Sequence, residues 1–405
     1  MKILVFADRL DVGGTQVNSI ELTAALRDLY GHEVVLLATP GPMIKLAEEK
    51  GLRVLPAPAA RLHPSPARMR VLRDAIRRER PDLIHVWDWT QCLDAYYPGH
   101  LLMRVPMVVT VMTMALPRLL PKALPTTLGT PALLDQARAS GRQPVELIPP
   151  PVDTRLNAPD TVDTRPFCDR YGIKSGDITL VTVSRLVNWM KAESLRRTVD
   201  VVRKLGRHLP LKFVIVGDGT SRADLERLAH ETNTELGRPA VVLTGALLDP
   251  RPAYAAADIV VGMGGSALRA MAFGKPVIVV GEQGFSEPLT PETSEGIYYR
   301  GLYGVGNGSP DNARLIAAVR RLVERLDRLP ELGQFSRQFV LKHFTLEMVS
   351  ERLAKFFQVA ADAEPRFHVA MVDGLRTAAI GLGGKVVPNE IRYRLKAWTG
   401  SAQQR

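Results

Sequence analysis

Arg185 follows an apolar run, Ile178 to Val183, and Lys191 stands six residues later at the opening of a helical pattern. Arginine offers a planar fork and lysine a point charge. Together they suit a diphosphate, and neutralising it would stabilise a departing nucleotide. Two solvated surface cations would leave the same trace in sequence. The stretch Asp258-Ile-Val-Val-Gly262-Met-Gly264-Gly265-Ser266-Ala-Leu-Arg269 passes from an apolar run through glycines into a helical pattern. Ser266 is a capping residue type near that start. Free amides and the positive end of a helix dipole make such a junction an anion cradle. Gly13-Gly14-Thr15-Gln16 opens the first helix in the same manner, and reads equally as a tight turn without a ligand. Val216-Gly217-Asp218-Gly219 reads as a turn before it reads as a nucleotide contact.

Gly262, Gly264 and Ala267 also satisfy a dinucleotide fingerprint, with Glu282 twenty residues beyond Gly262. That fingerprint belongs after the first strand of a domain, whereas this strand is the fourth of its half. No catalytic pair for hydride transfer accompanies it, so an NAD(P)-dependent oxidoreductase stands as the rival enzyme reading. Glu287 lies in the same loop beyond the next strand as Glu282.

These residues need strand ends and helix starts to hold them. Ile3 to Ala7, Val34 to Ala38, Leu83 to Trp87 and Met107 to Val111 read as buried strands, with helical patterns over Gln16 to Leu29 and Ser65 to Arg80 between them. Ile148-Pro-Pro-Pro-Val-Asp153 cannot lie inside an element and starts a linker. Beyond it strands recur at Ile178 to Val183, Lys212 to Val216, Ala240 to Leu243, Asp258 to Val261 and Pro276 to Val280. Helical patterns at Glu193 to Leu205, Ser221 to Thr232 and Ser266 to Phe273 separate them. Strands alternating with helices predict two α/β, doubly wound, Rossmann-like domains facing a central cleft. The expected boundaries are 1–160 and 161–345, followed by 346–405, a last helix from Leu346 to Val359 and a basic tail packing back on the first domain.

Composition bounds the function. The 405 residues are 46% hydrophobic and 23% charged, which fits two globular domains. A formal charge of +11 would serve an anionic membrane face or a phosphorylated substrate, or be only a solvated surface. No nucleic-acid motif is present. Two cysteines, Cys92 and Cys168, give neither a disulfide framework nor metal-ligand spacing. Neither a signal-peptide core nor a spanning run is found, so a cytoplasmic protein is expected, with no metal and no cofactor. The scattered arginines from Arg68 to Arg80 form a basic helix face that either rests on a membrane or is simply solvated. His85, Trp87, Asp88 and Trp89 end a strand facing the expected cleft, where tryptophan faces stack on sugar rings or pack a core. His63, His100 and His343 read as structural or surface residues.

Ordered together, these pieces resemble the retaining glycosyltransferases of family 4, which have the GT-B fold. Gly13-Gly14 matches that family's first glycine loop, and Ile148 to Asp153 its domain crossing, with Pro150-Pro151 in place of Asn-Gly. Val183 to Lys191, Phe213 to Gly219, Val242 to Gly245, Tyr254 to Asp258 and Ala270 to Val277 follow in the family's order. The resemblance implies that Arg185 and Lys191 contact a donor diphosphate and that Gly264-Gly265 give it amides. It implies transfer from a nucleotide-diphosphate sugar, as co-substrate, with retention of configuration. The acceptor would be a natural product, a polysaccharide or a lipid carrier. Three positions depart from the pattern. Val261 and Arg269 stand where the family has two glutamates, and Met112 stands where it tends to have histidine. Glu282 and Glu287 would then be candidate donor-binding carboxylates, or only solvated loop acids, and Arg269 would pair with one of them or reach a phosphate. A nucleotide-sugar-binding protein with a degenerate site is the non-enzyme alternative.

Overall fold

Aliphatic runs without polar alternation need cover on both faces, which a parallel sheet between helices supplies. A computed structural model describes residues 1–188, 190–309, 311–363 and 367–384. The first sheet holds β1 (Lys2–Phe6), β2 (Glu33–Ala38), β3 (Val54–Pro56), β4 (Leu83–Trp87), β5 (Met107–Val111), β6 (Thr126–Leu128) and β7 (Val145–Leu147). Its order is β3-β2-β1-β4-β5-β6-β7, all parallel. The second holds β8 (Ile178–Val183), β9 (Leu211–Val216), β10 (Val241–Gly245), β11 (Ile259–Gly262), β12 (Val277–Val280) and β13 (Ser286–Pro288). Its order is β10-β9-β8-β11-β12-β13, with only β13 antiparallel. Each order reverses direction beside its first strand, at β1/β4 and at β8/β11. Ligands of open α/β sheets bind outside such switch points.

Helices α1 (Gly14–Tyr30), α2 (Ile44–Glu49), α3 (Pro66–Glu79), α4 (Asp88–Ala95) and α5 (Pro131–Ala139) cover the first sheet, with a π-helical turn at Tyr96–Leu102. Around the second sheet lie α6 (Arg165–Tyr171), α7 (Ala192–Leu205), α8 (Arg222–Leu236), α9 (Arg251–Ala256), α10 (Gly265–Ala272), α11 (Ser294–Tyr299), α12 (Ala313–Val323) and α13 (Leu329–His343). Separate apolar cores fill the two faces of each sheet.

The chain crosses between the sheets twice, and the crossings pair with each other. Val152 N–H donates to Phe344 O at 2.8 Å, and Leu346 N–H to Val152 O at 3.0 Å. The proline run before Val152 leaves its backbone extended for this pairing. The return crossing delivers α14 (Leu346–Asp362) to α1, where Val349, Leu353 and Phe357 join Ile20 and Trp87 in one core. Of the tail expected to pack back on the first domain, Phe367–Gly384 forms α15 and packs on the π-helical turn. The rest of it lies outside the described residues. The three-residue strands β3, β6, β7 and β13 are too short to show a period, and the sequence reading lacks them.

Candidate functional site

The register of β8 with β9 sets Val183 beside Val216, so the loops carrying Arg185 and Gly217 leave the sheet together. Gly217 has φ 144°, and a Cβ there would lie 1.8 Å from Ser184 O. Only glycine fits, and this close approach fixes the loop that presents Arg185. Lys191 is the N-cap of α7, preceded by Met190 in the left-handed region at φ 62°. Thr182, Lys191, Ser194, Gly262 and Ser266 line a narrow recess at the β8/β11 switch point. Lys191 is largely buried there, and no carboxylate among the described residues pairs with it. Burial and the nearby Arg185 guanidinium push its pKa down to about 8. Such an ammonium lacks only an anion. A larger recess, about 200 Å³, opens at Arg197, Gly284 and Asn312, where Arg197 is already engaged by Glu193 and two backbone carbonyls.

Across the recess, β11 runs into α10. The sequence reading made Ser266 the cap, but the N-cap is Gly264, at φ 54° and ψ −132°. Ser266 lies one residue inside the first turn, and its hydroxyl accepts from the Tyr254 hydroxyl at 3.1 Å. The amides of the first turn have no side-chain cap, which leaves them free for an anion. From the other domain, Gly13 caps α1 in extended backbone. A Cβ on Gly13 would lie 3.9 Å from the Arg185 guanidinium carbon. The glycine loop of the first domain thus meets the cation of the second.

Arg269 pairs with neither Glu282 nor Glu287. Its Nη2 reaches toward Glu21 Oε2 on α1, 3.9 Å away across the domain boundary, and both side chains are largely buried. Burial raises the Glu21 pKa, and Arg269 opposes the rise. Glu282 accepts a short hydrogen bond from the Tyr303 hydroxyl. Glu287 sits in β13 opposite Val279 and pairs with Arg300 at 2.9 Å. Glu193 holds the Glu282 loop from below, accepting from the amides of Gln283 and Gly284 at 2.9 and 2.8 Å. Neither Glu21 nor Glu193 has a local sequence signal. Each sits on an ordinary helix and finds its partner only in the tertiary fold.

On the first domain, the strand-end cluster divides. His85 and Trp87 are core residues, not cleft residues. His85 Nε2 lies 2.7 Å from Thr110 Oγ1, and the ring packs on Phe357 and Trp87. Burial pushes its pKa down to about 3, so it stays neutral. Trp89 is half-buried and packs on the other core of that sheet. Asp88 does stand at the switch point, directly after β4 as the first residue of α4, at φ 59°. Its carboxylate accepts from the Met112 amide at 3.3 Å, and burial raises its pKa to about 6. The basic face read on α3 is also smaller than its arginine count. Arg68 points inward, to Pro58 O, Thr39 and Asp94. No group of three metal-ligand side chains converges among the described residues.

Residues 12–156 match the family model for Glycosyltransferase Family 4, and residues 177–325 the model for Glycosyl transferases group 1. No curated protein matches the sequence. Among solved structures, a glycosyltransferase from Rickettsia africae superposes with a TM-score of 0.72 at 14% identity, covering 89% of this chain and 99% of the other. Anabaena HepE in complex with UDP-glucose gives 0.69 at 17% identity, covering 89% and 100%. WaaG, a glycosyltransferase involved in lipopolysaccharide biosynthesis, gives 0.62 at 14%, covering 88% and 99%. Two domains of glycosyltransferase type, one in each half of the chain, are joined here in a GT-B fold.

Proposed function

We propose that the protein transfers a glycosyl group from a nucleoside-diphosphate sugar to an acceptor hydroxyl. Lys191 carries the reading. It is a largely buried ammonium without a carboxylate partner among the described residues, beside Arg185, facing the uncapped first turn of α10. The bond from the anomeric carbon to the diphosphate oxygen breaks, and one from the acceptor oxygen forms. The acceptor's proton passes to the released diphosphate, whose negative charge Arg185, Lys191 and the first-turn amides at Gly265 and Ser266 stabilise, while Gly264, its own amide held by Leu302 O, sets the turn. Gly13 and Gly14 close the site from the first domain. A transfer that needs charge neutralisation more than a nucleophile accords with retention of configuration. HepE was solved with UDP-glucose, which makes a uridine nucleotide the first donor to try. Acceptor classes are a natural product, a polysaccharide or a lipid carrier, the last calling for peripheral membrane contact.

Val261 and Arg269 support a second reading, a nucleotide-sugar-binding protein without turnover. Val261 is a buried hydrocarbon in β11 and Arg269 faces Glu21, so neither supplies a carboxylate to a sugar or ribose. Neither family model describes an oxidoreductase. Thermal stabilisation by a panel of nucleoside diphosphates, their sugars and NAD(P) separates the readings. A shift with one diphosphate and its sugar, lost in Lys191→Ala, is expected. Release of that diphosphate from its sugar marks the transferase, and binding without release marks the second reading. A shift with NAD(P) alone would overturn both.

A further inference from the structure

Helix α15 is inverted for a helix that covers a domain. Its inner side is small and polar. Asp373 accepts from the Ala123 amide at 2.6 Å and from Arg376 Nε at 3.1 Å. The Tyr96 and Tyr97 hydroxyls donate to the Ala370 and Gly374 carbonyls at 2.7 and 3.3 Å. Gly374 is what lets the backbone come this close, since a Cβ would stand 3.0 Å from Leu101 and 3.4 Å from Tyr96. The outer side is apolar. Met371 is 47% exposed, Val372 67% and Leu375 69%. Those positions share one helical face. The π-helical turn that holds α15 ends on Leu102, which is 77% exposed. An ordinary amphipathic helix would bury these groups and expose Asp373 and Thr377.

The segments that hold this helix carry cations. Arg104 lies two residues beyond Leu102 and Lys122 precedes Ala123, both exposed. Helix α3 lies against the same π-helical turn, where Ile76 and Leu72 approach Gly99. Its exposed side carries Arg70, Arg73 and Arg77 against a single acid, Asp74. In the sequence beyond α15, Lys385, Arg392, Arg394, Lys396 and Arg405 stand against Glu390 alone.

We propose that this face of the first domain docks on an anionic lipid bilayer, with α15 lying in the plane of the interface. An apolar strip flanked by arginine and lysine sinks into the headgroup boundary while the cations meet lipid phosphates. None of the described helices is long and apolar enough to cross a membrane, so the contact is interfacial. A second copy of this chain is the poorer occupant, because a two-fold contact would set the same arginines against each other on molecules of charge +11 each. The docking does not rest on the donor-site reading.

The test is co-sedimentation of the full chain with vesicles of phosphatidylcholine mixed with phosphatidylglycerol, and of phosphatidylcholine alone, at low and high salt. The chain should sediment with the mixed vesicles at low salt and come off at high salt. Val372→Asp combined with Leu375→Asp should weaken binding by tenfold or more, since it places two charges in the apolar strip. Arg70→Glu combined with Arg77→Glu should weaken it on the order of tenfold or more through lost attraction. Both double variants alter exposed side chains, so an unchanged melting temperature and an unchanged nucleotide-induced shift should show that fold and donor site are intact. Absence from mixed vesicles, or binding indifferent to both variants, overturns the proposal. So does a dimer in light scattering that Leu375→Asp dissolves, which would assign the face to self-association.

Discussion

Lys191→Met should make the protein more stable and unable to hold its nucleotide. In the folded chain the ammonium sits in a recess where no described carboxylate pairs with it, and its pKa falls from 10.5 to about 8. At neutral pH that fall corresponds to roughly 3 kcal/mol of unfavourable burial as an upper value. Allowing for partial solvation, methionine should gain about 1–3 kcal/mol, or roughly 2–4 °C in Tm per kcal/mol for a domain of this size. The sign follows from linkage. A lysine depressed by folding destabilises fully below its folded pKa, and the penalty is relieved as pH rises from about 8 toward 10.5. The gap between variant and wild type should therefore be widest near pH 7 and shrink across that window. Urea denaturation at the two ends of the window measures it. Nucleotide-induced stabilisation, present in the wild type, should be absent from the variant. A variant no more stable than wild type at pH 7 that still responds to nucleotide would refute the reasoning that this ammonium is held in wait for an anion.

The same physics acts on other groups. Asp88 has its pKa raised to about 6 while accepting from the Met112 amide. Asp88→Asn keeps an acceptor oxygen and tolerates the positive φ, so it should stabilise by about 1–2 kcal/mol at pH 7.5 and lose that advantage as pH falls from about 6 to below 3.8, where the acid becomes neutral in both states. Arg269→Met strands the buried Glu21 and should cost about 2–4 kcal/mol, much of it restored by adding Glu21→Gln. A denaturation cycle with no coupling would mean the 3.9 Å separation carries no interaction. Gly217→Ala, with its Cβ against Ser184 O, should lose more than about 2 kcal/mol and weaken nucleotide binding by displacing Arg185. An alanine variant with wild-type melting and binding would count against that packing.

What could be read in the sequence was what is local. Long aliphatic runs such as Ile178 to Val183 have one physical outcome, a strand covered on both faces, and the two sheets followed. The glycine junctions at Gly13 and Gly264 were legible because helix starts announce themselves in residue type. Partnerships were not. Arg269 lies on α10 and its carboxylate, Glu21, on α1 of the other domain. Nothing in the spacing of 21 and 269 records that the domains bring them together. His85 was misplaced, and Trp87 left between cleft and core, for a related reason. Their place at a strand end suggested a cleft, but alternate residues of a covered strand face opposite helix layers. The return helix α14, more than 250 residues later, places Phe357 on the His85 ring. Ser266 looked like a cap because serine often is one, yet Gly264 in the positive-φ region starts the helix two residues earlier.

The account rests on a diphosphate held between Arg185, Lys191 and the first turn of α10. Calorimetric titration of the stabilising nucleoside diphosphate against its parent nucleoside, in wild type and Lys191→Ala, addresses this directly. The diphosphate should bind the wild type at least about a hundredfold more tightly than the nucleoside, and most of that difference should vanish in the variant. Equal affinity for nucleoside and diphosphate, or a preference that survives Lys191→Ala, would contradict it.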